Sequence, residues 1–262
     1  MDRQEELLIK KRFVDLSRLA NRKGSVTFSN FLNLNELNLF HQSLSDIETS
    51  YQLFGGYKFA ERQMIAFIPD ALYYASDYAE NVCDAECKFP IACLHFSPKQ
   101  LKFAELLSHR DVLGALMNLG VERSRIGDIK LEKEHYYIFC EDAIAEYLLD
   151  NLTQIRRTIV VGERSETCLD QLEQAYEQLD GIVASVRLDN IIAFATKKSR
   201  AQSAVLIQSQ KVFINDRVVS SNAYECKEND VISIRGFGKF IYNGSKGETR
   251  KGRVKISLKK YS

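Results

Sequence analysis

Apolar residues along the first 22 positions recur at helical spacing. Leu8, Phe13, Leu16 and Leu19 with Ala20 form one stripe, which predicts a helix over 3–22, and a second follows around 34–46. The segment LFGGYKFAERQMIAFIPD then sets Gly55 and Gly56, suited to a turn needing positive φ, ahead of an apolar run, MIAFI (64–68), that Pro69 stops. The run reads as a strand and the glycine pair as a plain turn. From residue 90 the pattern sharpens. IACLHFS (91–97) is strand-like, Ser108 and Asp111 open a helix that Gly120 closes, and IGDIKLE (126–132) with HYYIFCE (135–141) makes a hairpin about Lys133 and Glu134. Asp142 opens a helix through Leu152, and RRTIVVG (156–162) is a last strand. The order β-α-β-β-α-β is that of a ferredoxin-like, or RRM-like, plait.

Beyond the plait, ETCLDQLEQAYEQLD (166–180) places Leu169, Leu172, Ala175 and Leu179 on one stripe with acids opposite, which predicts a connecting helix over 166–181. Leu188, Ile191, Ile192 and Ala195 then form the apolar face of a short helix. Ser199 and Gln202 match a capping box, so a second helix begins at Arg200. KVFIND alternates Val212 and Ile214 toward an Asn215-Asp216 turn, DVISIRG and KFIYNG are further strands, and KGETRKGRVKISLKKYS reads as an extended basic arm. The expected architecture is a three-domain α+β chain. A mixed N-terminal domain covers 1–88, the RRM-like plait 89–165, the connecting helix 166–181 and a basic domain 182–262.

Charge sharpens that division. The chain is near neutral, with 36 Lys+Arg against 35 Asp+Glu, yet residues 181–262 hold 16 of the cations and 6 of the acids, net +10. Residues 1–180 are left with 20 and 29, net −9. A basic domain on an acidic body points to an anionic partner for the former. The N-terminus of the helix at Arg200 adds unpaired N–H groups and a positive dipole end to Lys197, Lys198 and Arg200, which makes a phosphate-binding corner.

Other chemistries lack their residues. The cysteines at 83, 87, 93, 140, 168 and 226 include no C-x2-C pair, and His41, His95, His109 and His135 are scattered, so no metal or disulfide is expected. His95 and His135 fall in strands and read as structural. No P-loop or dinucleotide fingerprint occurs, and GFGKF lacks the third glycine, so neither a cofactor nor a catalytic residue is expected. No apolar run reaches 18 residues, and the charged, amphipathic start is no signal peptide, which implies a soluble cytoplasmic protein without membrane insertion. The plait's third strand, KEHYYIFCE, lacks the glycine of RNA-recognition domains and has acids at both ends. Tyr137 and Phe139 share one face and Tyr136 and Ile138 the other, and these aromatics read as core rather than as base-stacking groups.

The stretch 187–236 resembles the S4 RNA-binding domain in its Arg187-Leu188-Asp189 start, its Ser199-Arg200 helix entry, its Val212-x-Ile214-Asn215 hairpin and its D-x-I-x-I-R-G strand (230–236). It departs from that pattern at Gln210 and Asp216, where glycine is usual. With GKF…GETRKGR and the earlier FGGYKFAERQMIAFIPD, the chain resembles the YlmH family of bacterial S4-domain proteins. The resemblance implies an N-terminal domain, a central plait and a C-terminal S4 domain. It also implies an RNA-contacting surface of Arg187, Lys197, Lys198, Ser199, Arg200, Ser203, Lys211 and Asn215. The basic tail adds Arg250, Lys251 and Arg253. Asp189 is expected to fix the first helix and orient Arg187. The implied role is non-catalytic binding of structured RNA, ribosomal RNA with tRNA on the large ribosomal subunit, in the rescue of obstructed subunits. The alternative is an RNA-modifying enzyme or its accessory subunit, of pseudouridine synthase or methyltransferase type. The acidic N-terminal body is left as the surface for a protein partner.

Overall fold

The computed structural model describes residues 3–58, 60–73, 88–165 and 176–261. Two compact units divide the chain, 1–172 and 173–262.

The first unit opens with α1 (Arg3–Lys23), β1 (Thr27–Phe28) and α2 (Leu34–Gln42), followed by β2 (Ser50–Phe54), β3 (Met64–Ile68) and the short α3 (Asp70–Tyr73). Asn33 caps α2 in a reciprocal box with Glu36. The antiparallel sheet β1-β3-β2 packs under α1 and α2 through Phe13, Leu37, Phe40, Ile65 and Phe67, with Phe13 and Phe40 edge-on at 5.5 Å. Full burial of each such ring contributes about 1.5–3 kcal/mol.

The plait follows as β4 (Ile91–Pro98), α4 (His109–Asn118), β5 (Ile126–Glu132), β6 (His135–Glu141), α5 (Ala145–Asn151), β7 (Gln154–Ile155) and β8 (Thr158–Arg164). Its sheet runs β5-β6-β4-β8-β7, antiparallel throughout. Alternation along β4 sends Ala92, Leu94 and Phe96 to the helical side, where they meet Leu116, Ile138 and Leu148.

The N-terminal segment seals half of the other sheet face. Phe31, Tyr57, Ala60 and Met64 bury Phe139, whose ring lies 5.0 Å from that of Tyr57. Tyr57 Oη donates to Asp128 at 2.6 Å, and the N–H groups of Glu61 and Arg62 reach the same carboxylate. The Arg62 guanidinium donates to the carbonyls of Phe31, Arg123 and Ile126. The Gly55-Gly56 pair is therefore more than a plain turn. Gly56 has φ +98 and lies so close under Phe139 that a Cβ there would strike the ring.

The second unit comprises β9 (Tyr176–Val183), α6 (Leu188–Thr196), α7 (Arg200–Gln208), β10 (Val212–Ile214), β11 (Arg217–Val218), β12 (Val231–Ile234), β13 (Gly238–Glu248) and β14 (Val254–Tyr261). Its sheet runs β11-β10-β12-β13-β14-β9 around a core that includes Leu188, Ile191, Ile192, Ile207, Phe240 and Leu258.

Two expectations are corrected here. The connecting helix does not extend to 181: residues 176–183 form β9, and 166–175 lie outside the described residues. Leu179 fits a helical stripe, but Leu179, Gly181 and Val183 also alternate inward, and continuous pairing with β14 from Tyr261↔Tyr176 to Val254↔Val183 selects the strand. The basic arm is likewise no free extension. It is the β13–β14 hairpin, held by Ile256 and Leu258 in the core. With Glu173, Glu177 and Asp180 inside the unit, its acids rise from 6 to 9 against 16 cations, net +7.

Candidate nucleic-acid interface

The corner between α6 and α7 is built from local rules. Lys197 ends α6 in the left-handed region at φ 55, the N–H of Lys198 donates to the Ala193 carbonyl, and that of Lys197 to Phe194. This is the Schellman stop, normally made by glycine, and a lysine there costs about 1 kcal/mol. Two residues later Ser199 caps α7: its Oγ accepts from Gln202 N at 3.2 Å, and Gln202 Oε1 accepts from Ser199 N at 3.1 Å. Lys197, Lys198, Ser199 and Arg200 are all exposed, and the leading N–H groups of α7 open beside them.

A buried carboxylate lies behind this corner. Asp189, in the first turn of α6, has a side chain only 7% exposed, yet Arg200 Nη2 donates to its Oδ2 at 2.6 Å and Arg187 Nε stands 3.4 Å from its Oδ1. Burial alone would raise the Asp189 pKa. The Arg200 hydrogen bond and charge outweigh it, with Arg187 and the Asn190 N–H assisting, and hold the carboxyl below its ordinary range. The two guanidiniums keep 41% and 58% of their side-chain surface in solvent, so the clamp fixes them without hiding them. Asp189 does contact Arg187, as expected, but its closer partner is Arg200. That pairing spans 11 positions, and no local pattern announced it.

The other expected contacts separate. Lys211 is exposed ahead of β10, with its backbone bonded to Leu206 and Arg235. Ser203 is fully buried on the inner face of α7, where its Oγ donates to the Ser199 carbonyl at 3.1 Å, so it supports the corner and cannot contact RNA. Asn215 is exposed, but both ends of its amide are engaged: Nδ2 donates to Asp230 and Oδ1 accepts from Val231 N. It fixes the hairpin turn. Arg250, Lys251 and Arg253 cluster at the exposed tip of the β13–β14 hairpin, whose turn is closed by Thr249. Lys246, further down the same hairpin, is paired with Asp180 at 2.9 Å.

Among the described residues no group of three or more His, Cys, Asp or Glu is placed to hold a metal ion. Cys140 and Cys226 are buried free thiols, each pushed up to about 12 by burial, whereas Cys83, Cys87 and Cys168 lie outside the described residues. No helix among the described residues is long and apolar enough to cross a membrane.

Residues 86–167 match the family model described as "Putative RNA-binding domain in YlmH", and residues 186–232 match the S4 domain. The two matches fall on the plait and on the α6–α7 unit, in that order along the chain. The two domain matches support the YlmH family, with an S4 domain toward the C-terminus. The curated Bacillus subtilis (strain 168) relative "Ribosome-associated protein quality control protein P2" is 25% identical over 259 residues, 98% of this chain and 96% of that protein. A solved structure, "Cell division protein ylmH from Streptococcus pneumoniae", is 18% identical with a TM-score of 0.49, covering 65% of this chain and 96% of that one. Along this chain, every expected contact from Arg187 to Asn215 falls inside the S4 match, and the hairpin cations at 250–253 fall beyond it.

Proposed function

We propose that this YlmH-family protein is a non-catalytic binder of structured RNA that works on the ribosome. It holds ribosomal RNA, with tRNA, on the large subunit during quality control of translation. The observation that carries this reading is the α6–α7 corner, where Lys197, Lys198 and Arg200 surround a helix N-terminus and a buried carboxylate fixes the arginine forks. The B. subtilis relative, aligned over 98% of the chain, supports the ribosomal setting through its name. Phosphates bind at the corner and at the hairpin tip, while the acidic first unit is kept for a protein partner.

If four to six phosphates are neutralised, log K against log[salt] has a slope of about −3 to −5, at roughly 0.7–0.9 per contact. Replacing both Lys197 and Lys198 by alanine makes that slope shallower by about 1.5. Co-sedimentation with purified large subunits at graded salt measures both. A slope near zero would falsify the reading. Incubation of the purified protein with ribosomal RNA and a methyl donor, followed by nucleoside mass spectrometry, tests the non-catalytic assignment: new pseudouridine or methylated bases would overturn it.

A further inference from the structure

Along β8, Thr158 and Val160 are buried on the helical side of the plait. Alternation therefore turns Ile159, Val161 and Glu163 outward, onto the half of the sheet face that the N-terminal segment leaves open. Ile159 and Val161 stay 58% and 50% exposed, and Leu101, two positions past the Lys99 N–H that bonds the Ile159 carbonyl, stays 68% exposed. Opposite charges bracket this apolar centre. Arg157 precedes the strand and Lys99 flanks Ile159; both are exposed and, among the described residues, neither side chain has a partner. At the other end stands Glu163, its side chain 75% exposed and 3.2 Å from His95 Nδ1. The neighbouring arginines are engaged elsewhere, Arg164 on Asp142 and Glu146 and Arg156 on Asp111. The outward row of β8 thus runs cation, apolar, apolar, anion.

We propose that two copies of this protein pair by stacking these faces, with β8 antiparallel to β8 about a two-fold axis beside Val160. Ile159 of each copy then covers Val161 of the other, and each Arg157 meets a Glu163, so every contact is made twice. The parallel arrangement sets like charges face to face and is excluded by them. A second copy is the favoured occupant because the row is its own complement in both charge and apolar position. RNA is the competing occupant, since the row lies within the residues that match the RNA-binding family model. The centre of the row is aliphatic, however, and offers a base no ring, while Glu163 repels phosphate. The pairing does not depend on the α6–α7 corner, which belongs to the other unit.

Sedimentation velocity of the full-length protein over a concentration series reads the association directly. The expected result is a reversible rise from 30.0 kDa to twice that mass. Ile159→Asp sets a charge into both halves of the centre and keeps the protein monomeric. Arg157→Glu and Glu163→Arg each weaken self-association about tenfold, because two attractions at the rim become repulsions. An equimolar mixture of these two variants recovers the dimer, since each supplies the charge the other lacks. Damage to folding could not be rescued by mixing. All three positions are exposed, so the variants melt with the wild type. A protein that stays monomeric throughout the series overturns the proposal, as does a dimer indifferent to Ile159→Asp and to both charge reversals. Failure of the mixture to pair, once each variant alone has dissociated, overturns the two-fold arrangement. A monomeric wild type whose affinity for single-stranded RNA is lost in Ile159→Asp would overturn the choice of occupant and assign the face to RNA.

Discussion

Truncating Arg200 to alanine perturbs a buried charge and an exposed binding group at once, and the two effects are separable. In the folded chain Asp189 is 5% exposed and takes a 2.6 Å hydrogen bond from Arg200. Breaking a fully buried pair by removing one partner costs about 3–5 kcal/mol. Two features reduce that here: the Arg200 side chain is 58% exposed, so solvent screens the pair, and Arg187 remains 3.4 Å from the same carboxylate. A loss of about 1–2 kcal/mol is therefore expected on urea denaturation. Asp189→Asn costs a similar amount. The double variant should be less damaged than the sum by about 1 kcal/mol, because the second change removes a charge the first had stranded. RNA affinity falls in Arg200→Ala by about 1.5–3 kcal/mol, the range for charge-assisted hydrogen bonds, and Arg200→Lys recovers part of it. The Asp189 pKa is lowered on folding, so the clamp's contribution is complete above the unfolded carboxylate value of about 3.9 and is lost as pH falls through the lower folded value. Asp189→Asn should erase that acid limb and leave neutral-pH behaviour otherwise parallel. Additive single-variant losses, or an Arg200→Ala protein with wild-type stability, would refute the clamp. Lost stability with full RNA affinity would make Arg200 structural only.

Lys197→Gly should move stability and binding in opposite directions: relief of φ 55 raises stability by about 1 kcal/mol, while loss of the cation weakens RNA binding, read by thermal melting and filter binding. Gln210, also left-handed at φ 55 where S4 domains usually have glycine, should gain a few tenths to about 1 kcal/mol on Gln210→Gly with no change in RNA affinity. Ser199→Ala removes the α7 cap and should cost about 0.5–2 kcal/mol in melting. Gly56→Ala forces a side chain into Phe139 at φ +98 and should destabilise the first unit by about 2–4 kcal/mol, with the second unit's transition unmoved in calorimetry.

Much of this protein is written in short-range pattern. The plait's order, the capping boxes at Ser108 and Ser199, and the α6–α7 corner depend on residues a few positions apart, so periodicity and caps announce them. Even the two departures from glycine obeyed the local rule, since Gln210 and Asp216 take φ 55 and 63 as the turns require. Long-range pairing decided the rest. Residues 176–183 carry both a helical stripe and an alternating one, and only the free edge of β14 selects the strand. Phe139 and Tyr137 share a face in sequence, but the N-terminal segment buries the first fully and the second only in part. Ser203 and Asn215 look like binding residues until their hydrogen bonds are traced. Arg200 looks like a free phosphate ligand until Asp189 appears behind it. A sequence states which side chains are present and which local backbone they favour. Which of their polar groups remain unspent is settled only when distant segments meet, because each buried donor or acceptor takes whatever partner the tertiary fold brings within reach.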